Sequence, residues 1–364
     1  MSSSDKIKNY FPGGNTCRGF YSFYEYLPYN AERIFVIKGG PGTGKSTFMK
    51  NIAEEFLNEG YQIEYHWCSS DNDSLDGIVI SDLKVALLDG TAPHMVDPRN
   101  PGAVDEIVNL GRYWDRDILN QHKDQIVTLN QTIWKCFDSA YGFLEEAKLV
   151  HDRWEEYYLE GMDFQKANLK VETLRKNIFA GHKLAEKIGN HRHLFGSAFT
   201  PKGAVDYFSN ITADCEKRYV IKGKPGTGKS TVAKKIAQSA LERGLDVNYF
   251  HCSFDPDSID MIVIPKLKLS LVDGTPPHIV NPNRTGDEVV DMLECVKQSE
   301  IKRKKEQIEI NRARYHDLMK QALKELQQAK KLHDQLEEYY IEAMDFSKID
   351  QRCEEIKEEI KKRI

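Results

Sequence analysis

Apolar residues in this chain follow two periods. Short apolar runs that predict strands lie at residues 34–38 (IFVIK), 62–67 and 85–89 (VALLD). They recur at 219–222 (YVIK), 246–251 and 269–273 (LSLVD). After the first run of each set come a Gly-rich stretch and a helical pattern, from Lys45 to about Asn58 and from Lys229 to about Arg243. Gly60 and Gly244 stand where a helix C-cap is expected. Farther on, apolar residues return every three or four positions. They are Ile133, Cys136, Ala140, Phe143, Ala147, Val150, Trp154 and Tyr157, and then Tyr315, Leu318, Ala322, Ala329, Leu332, Leu336 and Tyr339, with Glu325 as the one break. This heptad stripe predicts long helices, either packed on their own domain or projecting as a hairpin. Residues 287–364 contain neither Gly nor Pro, which predicts helix throughout.

The two sets are copies of each other. Residues 36–47 read VIKGGPGTGKST and residues 220–231 read VIKGKPGTGKST, an offset of 184 with one difference, Gly40 against Lys224. Residues 74–98 and 258–282 match at the same offset, and HDRWEEYYLEGMDF (151–164) matches HDQLEEYYIEAMDF (333–346) at 182. A two-residue length change therefore lies near Pro101. The period is far longer than the ~20–50 residues of a solenoid, so the chain is a tandem of two domains. The expected division is 1–185 and 186–364, with helical arms at about 103–180 and 287–364, aromatic entry segments at 10–27 and 194–211, and a join in 181–193.

Composition narrows the setting. With 364 residues, 40% hydrophobic and 29% charged, the chain has material for packed cores. No apolar run approaches the ~18 residues of a membrane span, and residues 1–10 carry no secretory pattern. Seven scattered cysteines without a CxxC favour a reducing, cytoplasmic setting over disulfides or structural zinc. The net charge of −5 argues against general nucleic-acid coating. Residues 297–314 hold seven basic residues against three glutamates, a stretch that fits either nucleic-acid contact or a solvated helix face. The matching residues 115–132 do not share this excess.

The chemistry lies in the Gly-rich stretches. Gly39, Gly40, Pro41, Gly42, Thr43, Gly44, Lys45, Ser46 and Thr47 form a phosphate-binding loop between predicted strand and helix, and Gly223, Lys224, Pro225, Gly226, Thr227, Gly228, Lys229, Ser230 and Thr231 form a second. Their N–H groups and the following helix dipole suit phosphates, Lys45 and Lys229 the β- and γ-phosphates of ATP, and Ser46 and Ser230 an Mg²⁺ ion. Asp89 and Asp273 end apolar runs and are the expected second Mg²⁺ ligands, or else they cap the DGT turn. Lys224 gives the second loop a positive charge that the first lacks.

Gly90 and Gly274 occupy the next position, where many ATPases place a glutamate, so the water-activating base is unassigned. Asp71, Asp73 and Asp76 with Asp255, Asp257 and Asp260 are the nearby acids, and Asp71 and Asp255 are the candidates carried forward. Cys68 and Cys252 with His66, His251, His94 and His278 raise a metal site, but their spacing matches no zinc module, and a His–Pro turn shaping the site is the better reading. Lys38, Lys222, Arg18, Arg33, Arg99 and Arg284 are either phosphate contacts or surface charges.

The two GKST loops, the HWCSSD/HCSFD segments and the DGTAPH/DGTPPH segments resemble the tandem P-loop ATPase-like proteins of spore-forming Gram-positive bacteria. The resemblance spans the chain. It implies a cytoplasmic ATP-binding protein of the P-loop NTPase superfamily. The expected fold is therefore α/β, with two tandem P-loop domains, each a parallel sheet flanked by helices and bearing a helical arm. The leading expectation is an Mg²⁺-dependent ATPase whose arms relay nucleotide state. The alternatives are a nucleoside- or nucleotide-kinase-like enzyme with a helical lid, and a nucleotide-gated scaffold whose heptad face docks a protein partner.

Overall fold

The structure, a computed structural model, describes residues 6–28, 30–92 and 96–363. In the first repeat β1 (Ile7–Tyr10) leads to the hairpin of β2 (Gly13–Thr16) and β3 (Gly19–Ser22). β4 (Arg33–Lys38), α1 (Lys45–Asn58), β5 (Ile63–Trp67), β6 (Leu75–Ile80), β7 (Val85–Asp89) and β8 (Asp105–Asn109) follow, and α2 (Arg116–Gln121), α3 (Lys123–Glu160) and α4 (Phe164–Ile178) complete it. The second repeat opens with β9 (His191–Phe195), β10 (Ser197–Thr200), β11 (Gly203–Asp206) and α5 (Phe208–Ile211). It continues through β12 (Lys217–Lys222), α6 (Lys229–Leu241), β13 (Val247–His251), β14 (Ile259–Ile264), β15 (Leu269–Asp273) and β16 (Asp287–Asp291). It ends with α7 (Gln298–Arg303), α8 (Lys305–Ala343) and α9 (Phe346–Lys361).

Each repeat builds a six-stranded sheet, in the orders β1-β5-β6-β7-β4-β8 and β9-β13-β14-β15-β12-β16. β4 and β12 pair in parallel with both neighbours. β6 and β14 run antiparallel to theirs, so each sheet is mixed and not parallel throughout. Only four residues separate β6 from β7, turning through Lys84 in the left-handed region (φ 54°). A parallel pair would need a crossover of about a dozen residues.

A second departure concerns 105–109 and 287–291, which are strands and not the first turns of the arms. A segment without Gly or Pro is free to take either form. Val108 and Val290 are buried while Ile107 and Val289 are about half exposed, the alternation of an edge strand with one covered face.

The heptad stripes meet each other. Ala140, Leu144, Ala147 and Val150 cluster with Leu318, Ala322 and Leu326, and Ile133 and Cys136 cluster with Ala329 and Leu336. The start of α3 thus lies against the end of α8, an antiparallel pair of helices 38 and 39 residues long. The stripe is covered neither by its own sheet nor by solvent. The arm of the other repeat covers it.

Beyond this pair the arms cross over. Asp163 and Asp345 cap the next helices by accepting from the N–H of Lys166 and Lys348. Each also pins the corner to the opposite repeat, Asp163 N to Cys295 O (2.7 Å) and Asp345 N to Tyr113 O (2.9 Å). α4 then buries Val171, Leu174 and Ile178 on the second sheet, beside Tyr219, Val232 and Ile236. α9 buries Ile349, Cys353, Ile356 and Ile360 on the first, beside Phe35, Phe48 and Ile52. The division at 185/186 separates repeats in sequence, while in space each sheet is covered by the last helix of the other repeat. The sheets also join directly, through paired backbone bonds of Phe11 and Phe195 (3.0 Å each). No helix among the described residues is long and apolar enough to cross a membrane.

Candidate functional site

The loop 39–46 joins β4 to α1, and 223–230 joins β12 to α6. Gly42 and Gly44 have φ of 63° and 80°, and Gly226 and Gly228 of 77° and 83°. Such a backbone turns successive N–H groups inward at a helix N-terminus, an anion-binding concavity. The first turns of α1 and α6 contain no acid. Thr43 and Thr227 are buried and brace the loops, their hydroxyls donating to the carbonyls of Gly40 (2.8 Å) and Lys224 (2.7 Å). Thr47 and Thr231 are exposed.

Lys45 Nζ donates to the Gly40 carbonyl (2.7 Å) and lies 3.6 Å from Asp89 Oδ2. Lys229 does the same with Lys224 O (3.1 Å) and Asp273 Oδ2 (3.5 Å). The other oxygens, Asp89 Oδ1 and Asp273 Oδ1, accept from Thr91 N (2.8 Å) and Thr275 N (3.0 Å). Each aspartate therefore caps the DGT turn and faces the loop lysine at once. Ser46 Oγ and Ser230 Oγ accept the N–H of Leu75 and Ile259 (2.9 Å each). The residues after these, Asp76 and Asp260, are buried. Gly77 pairs with Leu88 and Met261 with Val272, so Asp76, near the start of β6, stands beside Asp89 at the end of β7, and Asp260, near the start of β14, beside Asp273 at the end of β15. A hydroxyl and two neighbouring carboxylates per repeat form an oxygen-donor set of the kind Mg²⁺ takes.

The two sets have different surroundings. Burial raises the Asp260 carboxyl to about 6, Asp273 adds to this, and His278, 3.9 Å away, opposes it. In the first repeat the Tyr24 hydroxyl, raised well above its usual value by burial and by Asp76, stands in this place. Its counterpart is Phe208, which packs on His278 with ring centroids 5.1 Å apart. His94, the counterpart of His278, lies outside the described residues.

The arms close over the loops in trans. Gly42 N donates to Glu337 Oε1 of α8 (3.3 Å). A Cβ on Gly42 would stand 2.7 Å from the Glu337 carbonyl oxygen, and one on Gly226 2.3 Å from that of Glu155 on α3. Glu155 thus covers the second loop as Glu337 covers the first. Its carboxyl is raised by burial, against which the Gly226 N–H acts. One turn earlier stand His151 and His333. Burial, with Lys148 beside it, pushes His151 down to about 4, so it is neutral at neutral pH, and burial lowers His333 as well. Tyr340 lies over Gly40, where a Cβ would meet its ring at 2.7 Å, whereas Lys224 in the other loop is exposed.

Several candidates are engaged elsewhere. Asp71 accepts from Ser74 Oγ (2.7 Å) and faces Lys330 of α8 (3.5 Å), and Asp255 faces Lys148 of α3 (3.6 Å). Burial favours the protonated acid at Asp71, but Ser74 and Lys330 outweigh it and lower its pKa, so it is a poor proton acceptor. Lys38 and Lys222 hold the segment after the DGT turn through Gly90 O (2.6 Å) and Val96 O (2.8 Å), and through Gly274 O (2.5 Å) and Val280 O (2.7 Å). Arg33 binds Glu359 of α9, Arg18 pairs with Asp257, and Arg284 donates to Thr212 O. In 297–314, Lys304 pairs with Glu160, Arg303 with Glu300 and Arg312 with Glu309.

Among the described residues the Cys/His segments do not assemble a metal site. His66 pairs with Glu64, and His251 contacts His193 and the Pro256 carbonyl. Ligand atoms do converge within 4.8 Å in His151, Asp152 and Glu155, and again in His333, Asp334 and Glu337. There Lys148 and Lys330 already neutralise Asp152 and Asp334. The repeated HD-x-x-E string was visible in the sequence. Nothing local to it indicates that it faces the other repeat's loop. Comparison of the chain with protein-family models, curated proteins and solved structures finds no match.

Proposed function

We propose that the chain is an Mg²⁺-dependent ATPase with two nucleotide sites, of the tandem P-loop kind its motifs resemble. The observation that carries this is the pair of glycine loops. Each curls at a helix N-terminus with its lysine facing an aspartate at the end of the adjacent strand. When ATP enters, Lys45 and Lys229 exchange their loop carbonyls and aspartates for β/γ-phosphate oxygens, and the inward N–H groups hold the phosphate chain. Ser46, Asp76 and Asp89, with Ser230, Asp260 and Asp273, would hold Mg²⁺, which screens the phosphate charge. Each arm touches one loop, α8 the first and α3 the second, so the nucleotide state of a loop has a route into its arm. The scaffold alternative loses its docking surface, since the heptad face is already occupied. The test is ATP binding by calorimetry and phosphate release. Two equivalents should bind, and Lys45→Ala and Lys229→Ala should each remove one. Unaltered binding in both variants would refute the reading.

A further inference from the structure

We propose that each phosphate loop takes its water-activating carboxylate from the other repeat, Glu337 serving the loop 39–46 and Glu155 the loop 223–230. This rests on the ATPase reading above. No acid is available within the same repeat at the usual place. The position after Asp89 is Gly90, where a Cβ would stand 2.5 Å from Val36 Cγ1, and that after Asp273 is Gly274, where it would stand 2.5 Å from Val220 Cγ1. A glutamate does not fit there. Asp71 and Asp255 are held by the lysines of the opposite arm.

Glu337 is already at the loop. Its Oε1 accepts from Gly42 N (3.3 Å), one of the N–H groups that turn toward a bound phosphate chain. The carboxylate therefore stands within a few ångströms of where the γ-phosphate would sit. His333 Nδ1, buried and without a hydrogen-bond partner among the described residues, lies 3.7 Å from Glu337 Oε1. The second loop repeats the arrangement, with His151 Nδ1 likewise unpartnered and 3.8 Å from Glu155 Oε1. Two copies of one geometry, built from segments far apart in sequence, are hard to attribute to accidental packing.

On binding, the phosphate chain takes the Gly42 N–H and frees the Glu337 carboxylate to face a water. The carboxylate accepts a proton from that water as the water oxygen bonds to the γ-phosphorus. The bond from the γ-phosphorus to the bridging oxygen breaks, and its electron pair leaves on ADP. The proton on Glu337 then passes to solvent. Each site needs both repeats.

The experiment isolates one site at a time. In full-length protein carrying Lys229→Ala, only the first loop turns over. Phosphate release and ATP affinity are measured there with Glu337→Gln or Glu338→Gln added, Glu338 being the exposed neighbour. Glu337→Gln should lower release by about 100-fold or more and leave ATP affinity within threefold. Glu338→Gln should leave release within threefold. In Lys45→Ala, Glu155→Gln should lower release at the second loop likewise, and Glu156→Gln, at its exposed neighbour, should leave it within threefold. A thermal melt checks that each variant is folded. Release that stays level or rises in Glu337→Gln would make the contact a plug on an empty loop and overturn the proposal. ATP binding without any phosphate release in the parent protein would overturn it while leaving nucleotide binding intact. Absence of ATP binding in the wild type would remove the ATPase reading and this proposal together.

Discussion

Asp260 is a buried carboxyl whose pKa stands at about 6 against an ordinary 3.8, chiefly because burial disfavours its charge. The folded state thus binds a proton that the unfolded state has released. Its contribution to folding is fully present below about pH 4 and is lost as pH rises through 6. Above pH 7 the ionised group costs about 2–3 kcal/mol by that shift. Asp260→Asn should therefore stabilise the protein by roughly that amount at pH 8 and by almost nothing at pH 4, as read by urea unfolding at the two pH values. The same substitution should weaken ATP binding in Mg²⁺ more than in EDTA. Asp89→Asn should share the Mg²⁺ effect and also loosen the DGT turn, because one oxygen caps Thr91 while the other faces Lys45.

At the scale of elements, α9 belongs to the first sheet although it ends the second repeat. Ile356 is fully buried there among Phe48, Met49 and Ile52. Ile356→Ala should cost about 2–5 kcal/mol. The loss should appear at the first loop, as weaker ATP binding in a Lys229→Ala background, and not at the second in Lys45→Ala. Gly226→Ala tests the contact of α3 with the second loop. It adds a Cβ at φ 77° against the Glu155 main chain. It should push α3 off the loop, lower Tm by several degrees and leave the first site's ATP affinity unchanged.

Over the whole molecule, one buried ion pair ties the repeats together. Arg192 on β9 donates to both oxygens of Glu64 on β5 (2.9 and 2.7 Å) and to the carbonyls of Tyr26 and Leu27. Burial would raise the Glu64 carboxyl, but Arg192 and His66 hold it well below the usual carboxylate range. Its contribution is therefore present above the unfolded value near ~4.3 and is lost only as pH falls through the depressed folded value. Glu64→Gln should cost about 3–5 kcal/mol at pH 7, since it removes the carboxylate charge that faces the buried Arg192 guanidinium. The crossed arms make a related prediction. Residues 1–185 expressed alone lack α9 over their sheet and α8 against α3. They should form a dimer in which two copies exchange α4, as read by sedimentation, or else fail to fold.

Much of this was legible in the residues. Identical GTGKST strings between an apolar run and an amphipathic stretch determined both glycine-rich loops, because only a strand-to-helix turn suits that order. The 184-residue offset determined the duplication, and the heptad stripe determined the long helices. The direction of each strand was not legible, because an apolar run is buried equally well parallel or antiparallel, and the edge strands β8 and β16 were hidden in segments equally fit for helix. Above all, the stripe on α3 is complementary to its copy on α8 and would satisfy its own sheet's needs as readily in sequence terms. Only the packed molecule decides that α4 and α9 change places. Burial is non-directional and does not record which sheet an apolar face covers. That exchange places Glu337 and Glu155 over loops nearly 300 and about 70 residues away in sequence, a contact that no local pattern encodes.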